Sequence, residues 1–256
     1  MRSAERHLSL EVLGAGPAYS DRPGSSGAAY LVRSGATTVL LDLGQGSFPR
    51  LTAAIEPSTL DAVVISHLHP DHFVDLVPLR HYLAYQFDPR RRVRVIAPPG
   101  LDARIDGLHA EPGFTALALD LEPHPDGSKA IGELTLESRP VTHTAESRAI
   151  RVAPTAGGPG LVYSGDCGRA EDLRPLVRPG DTLLVEVSFG NGPVPPGVNH
   201  LDAPAIAGFV GSLDLEQVLL THLQMGFAPE PAVATVAAAT RAAVHLVRPG
   251  DTFAIA

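Results

Sequence analysis

Asp61-Ala-Val-Val-Ile-Ser-His-Leu-His-Pro-Asp-His72 is an apolar, β-branched run that ends in three histidines and a carboxylate. Residues 61–66 predict a buried strand. In extended backbone, residues two apart face the same way, so His67 and His69 can converge on one ion. Pro70 then turns the chain and withholds a ladder hydrogen bond. Asp71 and His72 open the next segment and point elsewhere, far enough to serve a second ion. A solvated polar turn is the alternative reading. Histidine is the commonest metal ligand, and its clustering at a strand end favours a metal site.

The chain has 256 residues, 44% of them hydrophobic, enough for a sizeable core, and is read as one domain spanning 1–256. A formal charge of -8 argues against a surface that grips long nucleic acid. Cys167 is the only cysteine, so no internal disulfide can form and a reducing compartment is the simpler expectation. Residues 1–11 carry charges throughout and lack the apolar segment of a signal peptide. No stretch approaches the ~20 apolar residues of a spanning helix. The expectation is a cytoplasmic protein without a membrane partner; a homodimer is left open.

Around the histidine stretch, apolar patterning predicts strands over 8–13, 28–32, 37–43, 93–97, 148–152, 161–164, 182–187, 218–221 and 252–256, with two more within 131–141. Gly14-Ala15-Gly16 is read as a tight turn beside the site, since it lacks the third glycine of a dinucleotide fingerprint. Helices are expected over 48–55 with Ser47 as cap, 73–87 with a break at Pro78, 170–177, 203–213 capped by Asp202, and 230–243. Residues 98–130 carry the poorest periodicity, and His109 and His124 within them are read as surface histidines. Arg90, Arg91, Arg92 and Arg94 could meet a phosphate, but a solvated loop is the favoured reading. The hexapeptide Val-Arg-Pro-Gly-Asp-Thr occurs at 177–182 and again at 247–252, each time as a turn entering a strand.

His143, Asp166 and His222 each terminate a predicted strand. With His67, His69, Asp71 and His72 they make seven potential ligands at strand ends, where loops gather at one rim and build sites. Nitrogen and oxygen donors suit Zn²⁺, and also Mn²⁺, Fe²⁺ or Ni²⁺.

These motifs resemble the metallo-β-lactamase superfamily, and within it the ribonuclease Z-like phosphodiesterase branch. The resemblance runs through Leu13-Gly14, Leu41-Asp42-Leu-Gly44, residues 67–72, Ser164-Gly165-Asp166, Glu186, His200-Leu-Asp-Ala203 and Leu220-Thr221-His222. It implies a four-layer αβ/βα sandwich of two mixed β-sheets flanked by helices, with two divalent metal ions at the rim. It further implies that His67, His69 and His143 hold the first ion, that Asp71, His72 and His222 hold the second, and that Asp166 bridges them. Catalytic roles fall on Asp71, on His200 as proton donor and on Glu186, which orients His200. Cys167 neighbours a position that is a ligand in some relatives, but strand alternation turns it away, so a buried, inert thiol is expected.

The reaction expected is hydrolysis of a small phosphodiester or cyclic nucleotide by a metal-bridging hydroxide. Enzymes that process transfer-RNA 3′ ends in this branch carry a long arm between the positions of His143 and Asp166. Here only residues 144–165 lie between them, room for a hairpin and no arm. The alternatives are a thioester or lactone hydrolase like glyoxalase II, whose relatives generally lack the Glu186/His200 pair, and a ribonuclease Z-type endonuclease without the arm.

Overall fold

The computed structural model describes residues 8–255, so most of the reading made for residues 1–11, and the end of the last expected strand at Ala256, lie outside the described residues. In chain order the elements are β1 (Ser9–Gly14), β2 (Ala29–Ser34), β3 (Thr37–Leu41), α1 (Phe48–Ala54), β4 (Ala62–Val64), α2 (Pro70–Phe73), α3 (Leu76–Tyr85), β5 (Val93–Ile96), α4 (Leu101–His109), β6 (Leu119–Glu122) and β7 (Ser128–Ile131). The second half holds β8 (Leu134–Pro140), β9 (Arg148–Pro154), β10 (Leu161–Tyr163), β11 (Asp181–Glu186), α5 (Ala203–Val210), β12 (Leu215–Thr221), α6 (Pro229–Ala237), β13 (Ala243–Leu246) and β14 (Thr252–Ala254).

The strands form two seven-stranded mixed sheets, ordered β14-β1-β2-β3-β4-β5-β6 and β13-β12-β11-β10-β9-β8-β7. In the first, β3 through β6 run parallel, and in the second, β10 through β13 do; the other neighbours are antiparallel. Side-chain alternation explains why the strands read as continuous apolar runs. Ala62 and Val64 of β4 enter the core between the sheets, whereas Val63 faces the core beneath α1, α3 and α4. Leu184 of β11 and Leu219 of β12 enter the same central core, and Leu183, Val185, Val218 and Leu220 pack toward α5 and α6. The result is the four-layer αβ/βα sandwich, with helices outside two mixed sheets.

Several boundaries differ from the sequence reading. The break in 73–87 falls at residues 74–75, and Pro78 sits in the first turn of α3, where its missing N–H leaves no helical bond unmade. Ser47 precedes α1 but turns its hydroxyl to the Gly44 carbonyl (2.5 Å); Asp75 caps the helix instead, accepting from Phe48 N at 2.8 Å. The helix expected over 170–177 is one 3-10 turn, Ala170–Leu173, because Pro175 has no N–H to donate back to the Glu171 carbonyl, as a continuing α-helix would require. The helix expected over 230–243 ends at Ala237, and Ala243 begins β13. Residues 98–130 hold α4, β6 and part of β7; only Leu101 and Ile105 of α4 are buried, a stripe too thin to read. Asp202 does cap α5, accepting from Ala205 N at 2.9 Å.

The repeated hexapeptide makes the same turn twice. Asp181 accepts from Arg178 N at 2.9 Å and Asp251 from Arg248 N at 2.8 Å, each around a glycine of positive φ, Gly180 and Gly250. Their surroundings differ. Asp181 is fully buried and also accepts from Arg151 Nε and Nη2, both at 2.8 Å, and from Gly160 N at 2.7 Å. Asp181→Ala leaves the largely buried Arg151 guanidinium without its main partner and should cost about 3–5 kcal/mol in urea unfolding. Asp251→Ala loses one exposed turn bond and should cost about 1 kcal/mol. Equal losses at the two positions would contradict this reading of the turn pair.

Candidate metal centre

The C-terminal ends of β3, β4, β8, β10, β11 and β12 converge on one rim and deliver polar side chains there. Asp42 follows β3 and the His67–His72 stretch follows β4; from the second sheet come His143 after β8, Asp166 after β10, Glu186 at the end of β11 and His222 after β12. His69 is the N-cap of α2, with extended backbone (φ -80°, ψ 142°), and Pro70 opens the helix that carries Asp71 and His72. Gly44 belongs to the same arrangement: a Cβ there would collide with the Asp71 carbonyl, so Asp42-Leu43-Gly44 can pass under α2 only with glycine.

The structure brings the seven strand-end residues into two adjoining groups. His67, His69, His143 and Asp166 form one, and Asp71, His72 and His222 the other; within each, the potential donor atoms lie within 4.8 Å of one another. Asp166 faces both. Its Oδ2 lies 3.6 Å from Nε2 of His67 and of His143, and its Oδ1 lies 3.2 Å from Nε2 of His72 and 3.4 Å from that of His222. His222 Nε2 is also 3.2 Å from Asp71 Oδ2. His69 Nδ1 and His143 Nε2 are 3.1 Å apart. Two nitrogens sharing one tetrahedral ion at ~2.0–2.1 Å stand about 3.3 Å apart.

Three atoms test whether metal fits. His67 Nε2, His72 Nε2 and Asp166 Oδ1 are buried and have no hydrogen-bond partner among the described residues. Leaving such atoms unpaired costs ~1–3 kcal/mol each. All three point into the two groups, and all are donors that divalent ions accept. The residues present fit divalent cations.

The charges respond to the same crowding. Burial works against charge on His67 and, with the neighbouring His72, holds its pKa well below the ordinary value. Burial opposes charge on His72 too, but the Asp166 and Asp42 carboxylates outweigh it and hold its pKa well above 6.5. Burial likewise opposes ionisation of Asp166, yet His222 and His72 keep it well below the usual carboxylate range.

Behind the rim, four of the five histidines are held through their other ring nitrogen, which fixes the tautomer each presents; for His67 the partner of Nδ1 is Ser66 Oγ at 3.1 Å. His72 Nδ1 meets Asp42 Oδ2 at 2.7 Å, His143 Nδ1 meets the Asn199 carbonyl at 2.7 Å, and His222 Nδ1 meets Ser188 Oγ at 3.1 Å. Asp42 also accepts from Ser66 N, Ser66 Oγ and Tyr163 OH, each at 2.7 Å. Asp42 and His222 both have positive φ (57° and 61°), and the His222 amide is tied to the Ala15 carbonyl at 3.0 Å. Such backbone is costly for a non-glycine residue and is held here by the bonds around it.

Glu186 and His200 meet at 2.9 Å through His200 Nδ1. Glu186 is fully buried and also accepts from Cys167 N at 2.8 Å, Ser188 N at 3.2 Å and Ser188 Oγ. His200 lines a cavity of about 300 Å³ together with His69, Asp71, Asp166, His222 and Tyr19. Cys167 is buried, its thiol pushed up to about 12 by burial.

Asp42, Ser66, Tyr163, Ser188 and Asn199 carried no assigned role in the sequence reading. Only Asp42 left a signal, a carboxylate ending an apolar run. His124 corrects an expectation: it is half-buried, bonded to the Ile65 carbonyl at 2.9 Å just before the histidine stretch, with burial lowering its pKa to about 4. His109 is exposed. Arg92 pairs with Asp120 and Arg94 with Glu122 (3.1 Å), so both find acids on β6 rather than at the rim.

Known proteins resemble this chain over nearly its whole length. The β-lactamase superfamily domain matches residues 37–223. A protein of Mycobacterium leprae (strain TN) is 30% identical over 242 residues, 91% of this chain and 84% of its own. The metallo-β-lactamase fold protein YhfI from Bacillus subtilis superposes with a TM-score of 0.84 at 19% identity, covering 97% of this chain and 99% of that one. Human tRNase Z, short form, gives 0.75 at 19% identity, with coverage of 97% and 99%. At these identities the two structures show a common fold.

Asp42→Asn keeps the size of the side chain but removes the charge that His72, Ser66 and Tyr163 share. It should weaken divalent-metal affinity about 10–100-fold in chelator competition, with the fold retained by circular dichroism. Undiminished affinity would reduce Asp42 to a packing role.

Proposed function

This chain belongs to the β-lactamase superfamily of metal-dependent hydrolases, and from that premise we propose that it is a dinuclear phosphodiesterase acting on a small phosphodiester or cyclic nucleotide. His67, His69 and His143 would hold one ion, Asp71, His72 and His222 the other, with Asp166 shared. The all-nitrogen-and-oxygen donor set suits Zn²⁺ and accommodates Mn²⁺, Fe²⁺ or Ni²⁺. Bound there, the ions would supply Lewis acidity and lower the pKa of water toward neutrality.

The observation that carries the reading is the Glu186–His200 pair. Both residues lie close enough to Asp166 to count as a third group of potential ligands. Glu186, however, spends its oxygens on Cys167, Ser188 and His200, so it is poorly placed to serve an ion. With Nδ1 engaged, Nε2 is the ring nitrogen His200 has free for the cavity. A buried carboxylate behind a cavity-facing imidazole is the arrangement of a general acid. An alkoxide leaving from phosphorus needs that proton far more than a thiolate does, since a thiol has a pKa near ~8.5. The pair therefore favours phosphodiesters over thioesters. Burial opposes charge on His200, but the Glu186 hydrogen bond and charge outweigh it and raise its pKa above 6.5.

The substrate reading rests on room and charge. The cavity of about 300 Å³ suits a small ester. Between His143 and Asp166 lie mainly β9, β10 and the turn joining them, with no arm to grip transfer RNA. The net charge of -8 also disfavours long nucleic acid. No described helix is long and apolar enough to cross a membrane.

The test compares two phosphodiesters, one losing an alkoxide and one losing p-nitrophenolate. His200→Ala should slow the first by ~10²–10⁴-fold and the second much less, with metal content unchanged. The wild-type rate on the alkoxide substrate should fall as pH rises through the His200 pKa, which Glu186 holds above that of an ordinary imidazole. That alkaline limb should vanish in the variant. Equal slowing of both substrates, or turnover of thioesters far exceeding either, would overturn the assignment.

A further inference from the structure

Loop 15–25 has two flanks. Pro17, Ala18 and Tyr19 line the metal-centre cavity, while Arg22 through Ser25 line a separate cavity of about 430 Å³. Arg22, Arg50 and Arg248 all face that second cavity, and no carboxylate lines it. Elsewhere in this chain of net charge -8, several surface arginines pair with an acid: Arg33 with Glu11, Arg94 with Glu122 and Arg174 with Glu171. The three around this cavity have no ion pair among the described residues. Arg22 spends its donors on carbonyls, Nη1 on Leu223 (2.6 Å) and Nη2 on Gln224 (3.2 Å) and Phe227 (3.0 Å), which orients the guanidinium without neutralising it. Arg50 Nη2 bonds the Gly24 carbonyl at 3.0 Å. The Arg248 guanidinium is exposed and bonds nothing among the described residues.

Three like charges around one concavity repel one another and are stabilised by an anion. Guanidinium forks match phosphate oxygens in geometry as well as charge. The remaining wall is apolar, from Leu223, Leu246 and Val247, and the volume falls in the range of small-molecule sites. We propose that this cavity is a second ligand site, distinct from the metal centre. It takes a small phosphate ester, with the anion among Arg22, Arg50 and Arg248 and the organic part on the apolar wall.

Phenyl phosphate is a suitable probe, with benzyl alcohol as its uncharged counterpart. Hydrogen–deuterium exchange on the metal-loaded protein locates binding by segment, so occupancy of the metal centre, seen at 67–72, is told apart from occupancy of this cavity. Phenyl phosphate should protect residues 22–25 and 246–250, and benzyl alcohol should not. Arg50→Gln and Arg248→Gln should each raise the half-maximal concentration about tenfold or more. Arg22 is left intact because its removal would free the loop it ties down. Protection confined to the metal-centre segments, equal protection by benzyl alcohol, or unchanged titrations in both variants would overturn the proposal.

Discussion

Five imidazoles and two carboxylates crowd one end of a sandwich, most of them buried, and several of their polar atoms have no hydrogen-bond partner among the described residues. That burial is the constraint on which the rest of the structure depends. A buried, unpaired donor or acceptor is normally eliminated by folding or by substitution. Here His67 Nε2, His72 Nε2 and Asp166 Oδ1 are aimed at one another across a gap. The chain keeps them there by fixing the opposite side of the rings. Asp42 holds His72, the Asn199 carbonyl holds His143, and Ser188 holds His222.

The two halves of the sandwich have to meet for this to work, and the meeting is polar as well as apolar. Tyr163 of β10 reaches across to Asp42 at the end of β3, and Tyr30 of β2 meets Thr221 of β12 at 2.6 Å, beside His222. The two rings pack with centroids 5.0 Å apart under the rim. Burial drives both phenols well above their ordinary pKa, so they remain neutral donors at any working pH. Inter-sheet packing and site geometry are therefore one problem: a slip between the sheets would move Asp42 relative to Tyr163 and, with it, the ring of His72. Glu186 ties the chemistry together in the same way, touching His200 directly and His222 through Ser188.

Much of this was legible in the chain because the informative residues end apolar runs. A buried strand announces itself by its β-branched apolar residues, and a histidine or carboxylate placed directly after one, at the rim, has to be polar for a reason. That logic reached all seven residues of the two groups, while the four-layer architecture came from the resemblance to the metallo-β-lactamase superfamily. It failed where the signal lives in tertiary contact. Ser66, Ser188 and Asn199 are ordinary loop residues until the fold brings a histidine against them, and Tyr163 reads simply as a core aromatic. His124 looked exposed because its segment is rich in proline and charge, yet it folds back to the Ile65 carbonyl. The helix ends at Leu173 and Ala237 and the strand β13 were lost to alanine-rich or proline-broken patterns that fit two elements equally well.

The central claim is that the unpaired atoms of the rim are ligands for two ions sharing Asp166. Elemental analysis of protein purified without chelator and then saturated with Zn²⁺ tests it most directly, alongside Asp166→Ala. Two equivalents per chain are expected in the parent protein. Fewer than one tightly held ion is expected in the variant, which loses the shared ligand of both positions. A single ion at saturation, or two ions retained with unchanged affinity after Asp166→Ala, would contradict it.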